Sequence, residues 1–545
     1  MTRLSLYLLF LIPLAISPFS LDAFMIPKFS ILVIYGCIAL ISLIINIKKL
    51  YTKTDLRLKL FFLLFFIVLM FSFILSKTPW EQQLFGREGR NNGLLLFISL
   101  ILLMIFSAQI DVLNFRIKIN KYIAFSSLVI ISYSILQLLG LDPLAWDTIN
   151  LKMFSTLGNP NFLSAYLAST FVPVLIYLYS HSIFSDYNRY LKLALLLFAS
   201  LVYVGVIFKS KSYQGLVILV VSAILLVILF SFRAKKYYLT VLNFCVFLFV
   251  TILGILGTFN KGPLASMLYK SSVTSRGDFY RSALNMGMDN WVHGVGIDGF
   301  GDYYLEYRDS VAAVRPNAEY VDTAHNYFLD FFANLGGGGL ILYTLLILFT
   351  FIKFIKLIQR SAYDNFIISI FVFWIGVQIQ SLISPTFIVF LIYNFAFAGF
   401  IVNFHKINNI KSNTMITAKD HLNKTAVGIS LLVALVILLP FISKDRNLLK
   451  AQQGDSLEVV LSAARAYPKS IVTYNRILQT LANSGTSSPI FLEVAKEAVS
   501  FNPRTLPGQF TIMISAYSSN LEKQDAYKAL MELDPKNPIV ERYRP

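Results

Sequence analysis

The sequence predicts an all-α protein: a polytopic membrane helix bundle of about 12–13 spans followed by a soluble α-helical repeat domain. Three observations carry that expectation. The 545 residues are 56% hydrophobic and only 14% charged, with a mean hydropathy of +0.66, a balance foreign to water-soluble domains. Apolar runs of roughly 17 to 23 residues recur along the chain, each long enough to cross a hydrocarbon core as a helix. After residue 443 the composition turns amphipathic, and helix-end phrases return at a nearly regular interval.

The apolar runs fall at about 4–20, 27–47, 59–76, 93–109, 121–139, 160–180, 191–208, 214–232, 237–258, 336–358, 364–383, 386–403 and 424–443. In lipid every backbone amide must be satisfied within the segment, so long runs without alternation are expected as helices. The first carries Arg3, Pro13 and Pro18 and is short enough to be a signal peptide. It lacks an A-x-A-like site, so its retention is expected. Cys37 and Cys245 both fall inside spans, which speaks for packing rather than a disulfide or a cysteine metal site.

Lysine and arginine set the orientation. The connections "NIKKLYTKTDLRLK", "NFRIKINK", "FRAKK", "FIKFIKLIQR" and "HKINNIKSNTMITAKDHLNK" are basic, and every second connection is of this kind. The alternation places the N-terminus inside, and residues 259–323 and everything after about 444 outside. The net charge of +18 is mostly this topological bias, which argues against a nucleic-acid partner.

The domain division expected is thus 1–443, a bundle with a large outer loop at 259–323, and 444–545, an extracytoplasmic helical domain. In the latter, "AARAYPKS", "AKEAVSFNPRT" and "AYKALMELDPKNP" place Pro468, Pro503 and Pro535 at intervals of 35 and 32 residues. These lie near the 34-residue period of helix-turn-helix solenoids, where proline ends the second helix of each pair. The segment resembles tetratricopeptide repeats without their Trp and Gly positions.

Transporters keep ionisable groups at mid-membrane, whereas the centres of these spans hold none. The polar groups gather at the outer ends instead. "TPWEQQLFGREGRNNG" brings Arg87 and Arg90, "FSTLGNPNF" brings Asn159 and Asn161, and "KSKSYQGL" brings Lys209 and Lys211. The long loop adds Arg276, Arg281, Trp291 and Arg308. Cations at headgroup depth beside apolar walls suit a lipid-linked diphosphate whose tail stays in the bilayer. Lys209, Arg281 and Arg308 are equally explained as solvated or snorkelling side chains. Arg276, in "SRGDF", is expected near a helix opening, where amide groups also attract anions.

"YVDTAHNYFLDFFANLGGGGL" places His325 between a polar loop and an apolar helix. With Thr323 as the expected N-cap, His325 is a first-turn residue, and the helix dipole disfavours its charged form. The neutral imidazole is the form that accepts a proton from an attacking hydroxyl. Phe328, Leu329 and Phe332 at i+3, i+4 and i+7 give the helix an apolar face. The glycines at 336–339 allow close approach or a change of direction.

Four phrases in this order, "LFGREGRNNGLLLF", "LGNPNFLSAYLA", the loop from Arg276 to "GVGIDGF", and "AHNYFLDFFANLGGGGL", resemble the O-antigen ligase and Wzy-type polymerase superfamily over about residues 80–400. The resemblance implies a GT-C-like membrane glycosyltransferase, acting without a metal or other cofactor. It would move a glycan from an undecaprenyl-diphosphate carrier to an acceptor hydroxyl on the outer face of a bacterial inner membrane. It implies that Arg276 and His325 are catalytic; beside them Lys211, Arg276, Arg281 and Lys209 are the cations expected to face the donor diphosphate. Arg87, Arg90, Asn159, Asn161, Asn326 and Trp291 then fall to the glycan or acceptor. The family usually has an arginine after a serine at the outer start of a span; here Ser210-Lys211 keeps the charge and loses the bidentate fork. His325 is open between a general base and a ligand for phosphate or acceptor. Ligase and polymerase differ only in the acceptor, which is a lipid, a glycan or a protein, and the repeat domain suggests a protein partner.

Overall fold

The computed structural model describes residues 1–47, 56–144, 146, 153–180, 189–268, 271–314, 321–361, 364–408, 424–452, 457–483 and 489–537. Among these residues the protein is helical and contains no strand. The basic stretches at 48–55 and 409–423, which carry part of the orientation argument, lie outside the described residues, as do 269–270 and 315–320 of the predicted outer loop.

In chain order the helices are α1 (Thr2–Leu11), α2 (Met25–Ile45), α3 (Leu56–Leu75), α4 (Trp80–Phe85), α5 (Leu94–Ser107), α6 (Val112–Leu138), α7 (Pro160–Ser180), α8 (Arg189–Lys209), α9 (Tyr213–Arg233), α10 (Tyr237–Thr258), α11 (Ser271–Asp289), α12 (Phe300–Tyr307), α13 (Tyr327–Arg360), α14 (Asn365–Ile383), α15 (Ile388–Asn408) and α16 (Lys424–Gln452), beside single turns. Every one of the thirteen apolar runs is a helix. Ten of them are long and apolar enough to cross a membrane; α1, α5 and the apolar part of α15, Ile388–Val402, are shorter. The first run stops well before residue 20 because Pro13 has no N–H to continue the ladder; a 3-10 turn follows at Ile12–Leu14.

Burial separates the helices by role. From Phe387 to Ile401, α15 and the turn before it keep almost every apolar side chain fully buried, and α5 is covered on nearly all sides. Such short, enclosed helices form the axis of the bundle. At the rim, α10 buries only Gly257 and exposes Val241, Leu242, Phe249 and Ile252, the pattern of a helix solvated by lipid. Cys245 is exposed on this rim rather than buried as expected, while Cys37 is half-buried.

The long loop expected on the outer face is itself folded. Phe279, Ala283 and Met286 of α11 pack with Val295, Phe300, Tyr304 and Ala333 into a small separate core. Helix α13 breaks at Gly336 (φ 69°, ψ −164°). A Cβ there would lie 2.3 Å from the carbonyl oxygen of Trp291, so the glycine serves both close approach and a change of direction.

Beyond α16 come α17 (Leu457–Arg465), α18 (Ile471–Asn483), α19 (Pro489–Phe501), α20 (Leu506–Ile514) and α21 (Asn520–Leu533), with a hydrophobic core of their own. Pro468, Pro503 and Pro535 follow the ends of α17, α19 and α21. These helices lie against the loops that precede α5 and α13. Arg308, left open in the sequence between a solvated side chain and a ligand-facing cation, is neither: it is buried and forked onto Asp534 at 2.9 and 2.7 Å. Asn502 donates to Asp302 at 2.9 Å, and the Arg504 guanidinium lies 3.7 Å over the Tyr303 ring. Thr473 donates to Glu88 at 2.6 Å.

Candidate functional site

The site is built around the loop 321–326. Thr323 Oγ accepts the His325 N–H at 2.8 Å, and Asp330 Oδ1 accepts the Ala324 N–H at 2.6 Å. Asn326, not Thr323, is the N-cap of α13: its Oδ1 accepts from Phe328 and Leu329 N–H at 3.0 and 3.2 Å. His325 therefore precedes the cap instead of sitting in the first turn, in the left-handed region at φ 55°. A non-glycine residue there costs about 1–3 kcal/mol and marks a position the surrounding structure over-determines.

Helix α11 supplies the opposite wall. Its start at Ser271 puts Arg276 in the second turn, not at the helix opening, so the N-terminal amides expected beside it belong to other residues. The Phe279 ring lies 5.5 Å from the His325 ring. Tyr280 Oη and Asn326 Nδ2 both donate to the Leu382 carbonyl, at 3.0 and 3.1 Å. The last turn of α14 thereby ties Arg276's helix to the His325 loop. Arg276 Nε is buried and has no hydrogen-bond partner, and burial lowers its pKa.

Electrostatics join the two residues. Burial, then Arg90, then Arg276 push the His325 imidazole down to about 4, against the pull of Asp322. The neutral ring expected from the sequence thus arises from desolvation and two guanidinium groups rather than from a helix dipole. Arg276 and His325, 49 positions apart in the chain, are brought together.

The loop before α5 closes the third side. Arg87 is buried, pairs with Asp302, and donates its N–H to Asp298 Oδ2 at 2.7 Å. Asn92 N–H reaches the same oxygen at 3.1 Å, and burial raises Asp298 to about 6. Arg87 is therefore a strut inside the protein and has no face to offer a glycan, a correction to its expected role. Arg90 forks onto Asp322, Nε and Nη2 each at 2.9 Å. Burial pushes Asp322 up, and Arg90 outweighs it, holding the carboxyl below its ordinary value. Behind these pairs lies a small cavity of mixed lining, with Asp298, Asp322 and Asp330 on one hand and Phe97, Ile297 and Phe331 on the other. Among the described residues no group of three or more His, Cys, Asp or Glu is arranged to hold a metal ion.

The remaining sequence candidates are scattered around this centre. Lys209 ends α8 and Lys211 stands in the following turn at φ 59°, both exposed. That turn is anchored by Ser164 donating to Ser212 at 2.8 Å, and next to it Gln214 Oε1 accepts from Gln380 and Ser384, each at 3.1 Å. The lysine turn and the His325 loop thus share the α14 end as a common anchor. Arg281 is engaged with Asp278 and Asp309; its charge is already answered within the loop, unlike the free diphosphate ligand expected. Asn159 Oδ1 accepts the Asn161 N–H at 2.8 Å and opens α7. Trp291 packs on Phe332, rings 5.5 Å apart.

Sequence reasoning missed Tyr280, Asp322, Asp330 and the Leu382 carbonyl. Asp322 had a readable signal, a carboxylate three residues before His325 in a chain with arginines to pair. A backbone carbonyl has none.

Residues 193–344 match the family model described as O-antigen ligase. The matched stretch contains Lys209, Lys211, Arg276, Arg281, Trp291, His325 and Asn326. The resemblance seen in the motifs is thereby independently found. No curated protein matches the chain.

Proposed function

We propose that this protein, a polytopic helical protein carrying an O-antigen ligase domain, transfers a glycan from an undecaprenyl-diphosphate-linked donor to an acceptor hydroxyl, on the outer face of a bacterial inner membrane. The observation that carries the reading is the Arg276 Nε, buried without a hydrogen-bond partner, beside an imidazole, His325, whose pKa is held low. A buried donor without a partner is rare in a folded protein and points to a group that arrives later.

In this reaction the acceptor oxygen bonds to the anomeric carbon while the bond from that carbon to the diphosphate oxygen breaks, its electron pair leaving with the diphosphate. The acceptor proton passes to His325. Negative charge grows on the leaving oxygens, and Arg276 is placed to stabilise it more in the transition state than in the ground state. Lys211 and Lys209, in a turn anchored to the same helix end, complete the phosphate side, and these cations supply the charge that a divalent metal supplies elsewhere. Asn159 and Asn161, where α7 opens, are taken to meet sugar or acceptor hydroxyls, while Asn326 and Arg90, tied to the Leu382 carbonyl and to Asp322, hold the His325 loop in place. Residues 444–545 act as an extracytoplasmic, repeat-like domain on the acceptor side, where a solenoid surface suits a protein partner.

The test is transfer from a defined undecaprenyl-diphosphate glycan by purified wild type, His325→Ala and Arg276→Ala at equal amounts. His325→Ala is expected to slow transfer by about 10²–10⁴. Two variants as fast as wild type would end the assignment.

A further inference from the structure

Helix α11 does not cross the bundle, yet its side chains divide into three faces. At about 100° of rotation per residue, Phe279, Ser282, Ala283 and Met286 share one face and are buried. Arg281, Asn285 and Asp289 share a second, exposed and polar. Leu284 and Met288 form a third, exposed at 45% and 65%, and the turn that follows extends it with Trp291 at 51% and Val292 at 65%. Water alone gives no reason to sort exposed side chains into a polar stripe and an apolar one.

Contacts of the apolar stripe fix its depth. The Trp291 carbonyl accepts the Gly337 N–H at 2.8 Å, and a Cβ on Gly337 would lie 2.5 Å from the Trp291 ring. The neighbouring Gly338 faces Val68 of α3 in the same way, and Ser72 of α3 donates to the Asn334 carbonyl at 2.9 Å. Trp291 is thus level with the turn 68–72, inside the end of a helix that is long and apolar enough to span. Around it the same wall exposes Phe71 and Ile74 of α3 and Ile341 and Leu345 of α13. The stripe on α11 continues that wall.

We infer that α11 is an interfacial helix whose Leu284, Met288, Trp291 and Val292 edge is immersed in bilayer hydrocarbon just below the headgroups, with Arg281, Asn285 and Asp289 turned to water. An apolar body with an indole at the boundary is the composition such a helix needs. The immersion holds Arg276, on the same helix, at the level where a lipid-borne diphosphate lies. It assigns Trp291 to lipid rather than to glycan. The inference concerns placement alone and stands whatever reaction the protein carries out.

Quenching of tryptophan fluorescence in proteoliposomes tests it. The chain has four tryptophans, so the Trp291 contribution is the difference between the full-length wild type and Trp291→Phe. Lipids brominated high on the acyl chain should quench that contribution, and aqueous iodide should not reach it; the reverse pattern overturns the inference. As a second measurement independent of Trp291, Cys37→Ala and Cys245→Ala leave a background in which Asn285→Cys, Met288→Cys and Val292→Cys are labelled singly with a polarity-sensitive dye. Blue-shifted emission at 288 and 292 with water-like emission at 285 supports immersion. Water-like emission at all three sinks it.

Discussion

On one side of His325 the loop before α5 delivers two arginines, each closed by its own carboxylate: Arg87 on Asp302 and Arg90 on Asp322. On the other side α11 delivers Arg276, whose Nε is buried and unanswered. The two walls are made of the same residue type, Arg90 and Arg276 both depress the His325 pKa, and only the Arg276 wall has been left open. A guanidinium matched by a carboxylate is a fastener, since its charge and its fork of donors are spent. A guanidinium buried without one carries an unpaid desolvation cost, and that cost is tolerable where an anionic ligand relieves it.

The largest effect should come from the open wall. His325→Ala and Arg276→Ala are expected to abolish most transfer, by about 10²–10⁴ for the imidazole, while leaving the thermal transition close to wild type. Next in size, Arg87→Leu should behave in the opposite way. Arg87 and Asp302 are 4% and 3% exposed, and removing one partner of such a pair strands the other at about 3–5 kcal/mol. A fall in the detergent-solubilised melting temperature, measured with residual activity per folded molecule, separates the two walls. Equal melting losses on both sides would erase the distinction.

Arg90 stands between the extremes and gives a pH signature. The base form of His325 is the neutral one, so activity is lost as pH falls through its pKa, held at about 4 by burial, Arg90 and Arg276 against Asp322. Arg90→Gln removes one of the depressing cations and frees Asp322 to favour the charged ring. The acid limb of the pH profile should therefore move upward from about 4 toward the ordinary 6.5. The sign also sets a stability window. The folded protein binds fewer protons at this site than the unfolded chain between those two values, so stability declines as pH drops through that window. An unchanged acid limb in Arg90→Gln would remove His325 as the titrating group.

The scaffold was readable because hydrophobic length is a local property: thirteen runs became thirteen helices. The ends of α1 and the cap of α13 were not, since Pro13 truncates the first run earlier than hydropathy suggests, and Asn326 competes with Thr323 for the same task and wins by one turn of geometry. The convergence of Arg276 with His325 was legible through the motifs. The distinction between an open and a closed arginine was not, because pairing depends on long-range partners: Asp302 lies 215 residues from Arg87, and Asp322 lies 232 from Arg90. Nothing in "GREGR" announces either carboxylate.

The smallest expected effect belongs to Arg281, and it sharpens the comparison from within a single helix. Arg281 lies five residues after Arg276 and shares α11, but it points to the polar stripe and is half exposed, with Asp278 and Asp309 both within reach. Screening by water limits an exposed ion pair to about 0–1 kcal/mol, and two carboxylates competing for one guanidinium leave no charge over for a phosphate. Arg281→Gln should therefore shift melting by little and leave the apparent affinity for the lipid-linked donor within about twofold of wild type, well under the tenfold that 1.4 kcal/mol represents. Donor titrations of the two variants decide the point. If Arg281→Gln weakens the donor as much as Arg276→Ala does, then proximity to the membrane, and not the absence of a carboxylate, selects the cations that bind the diphosphate.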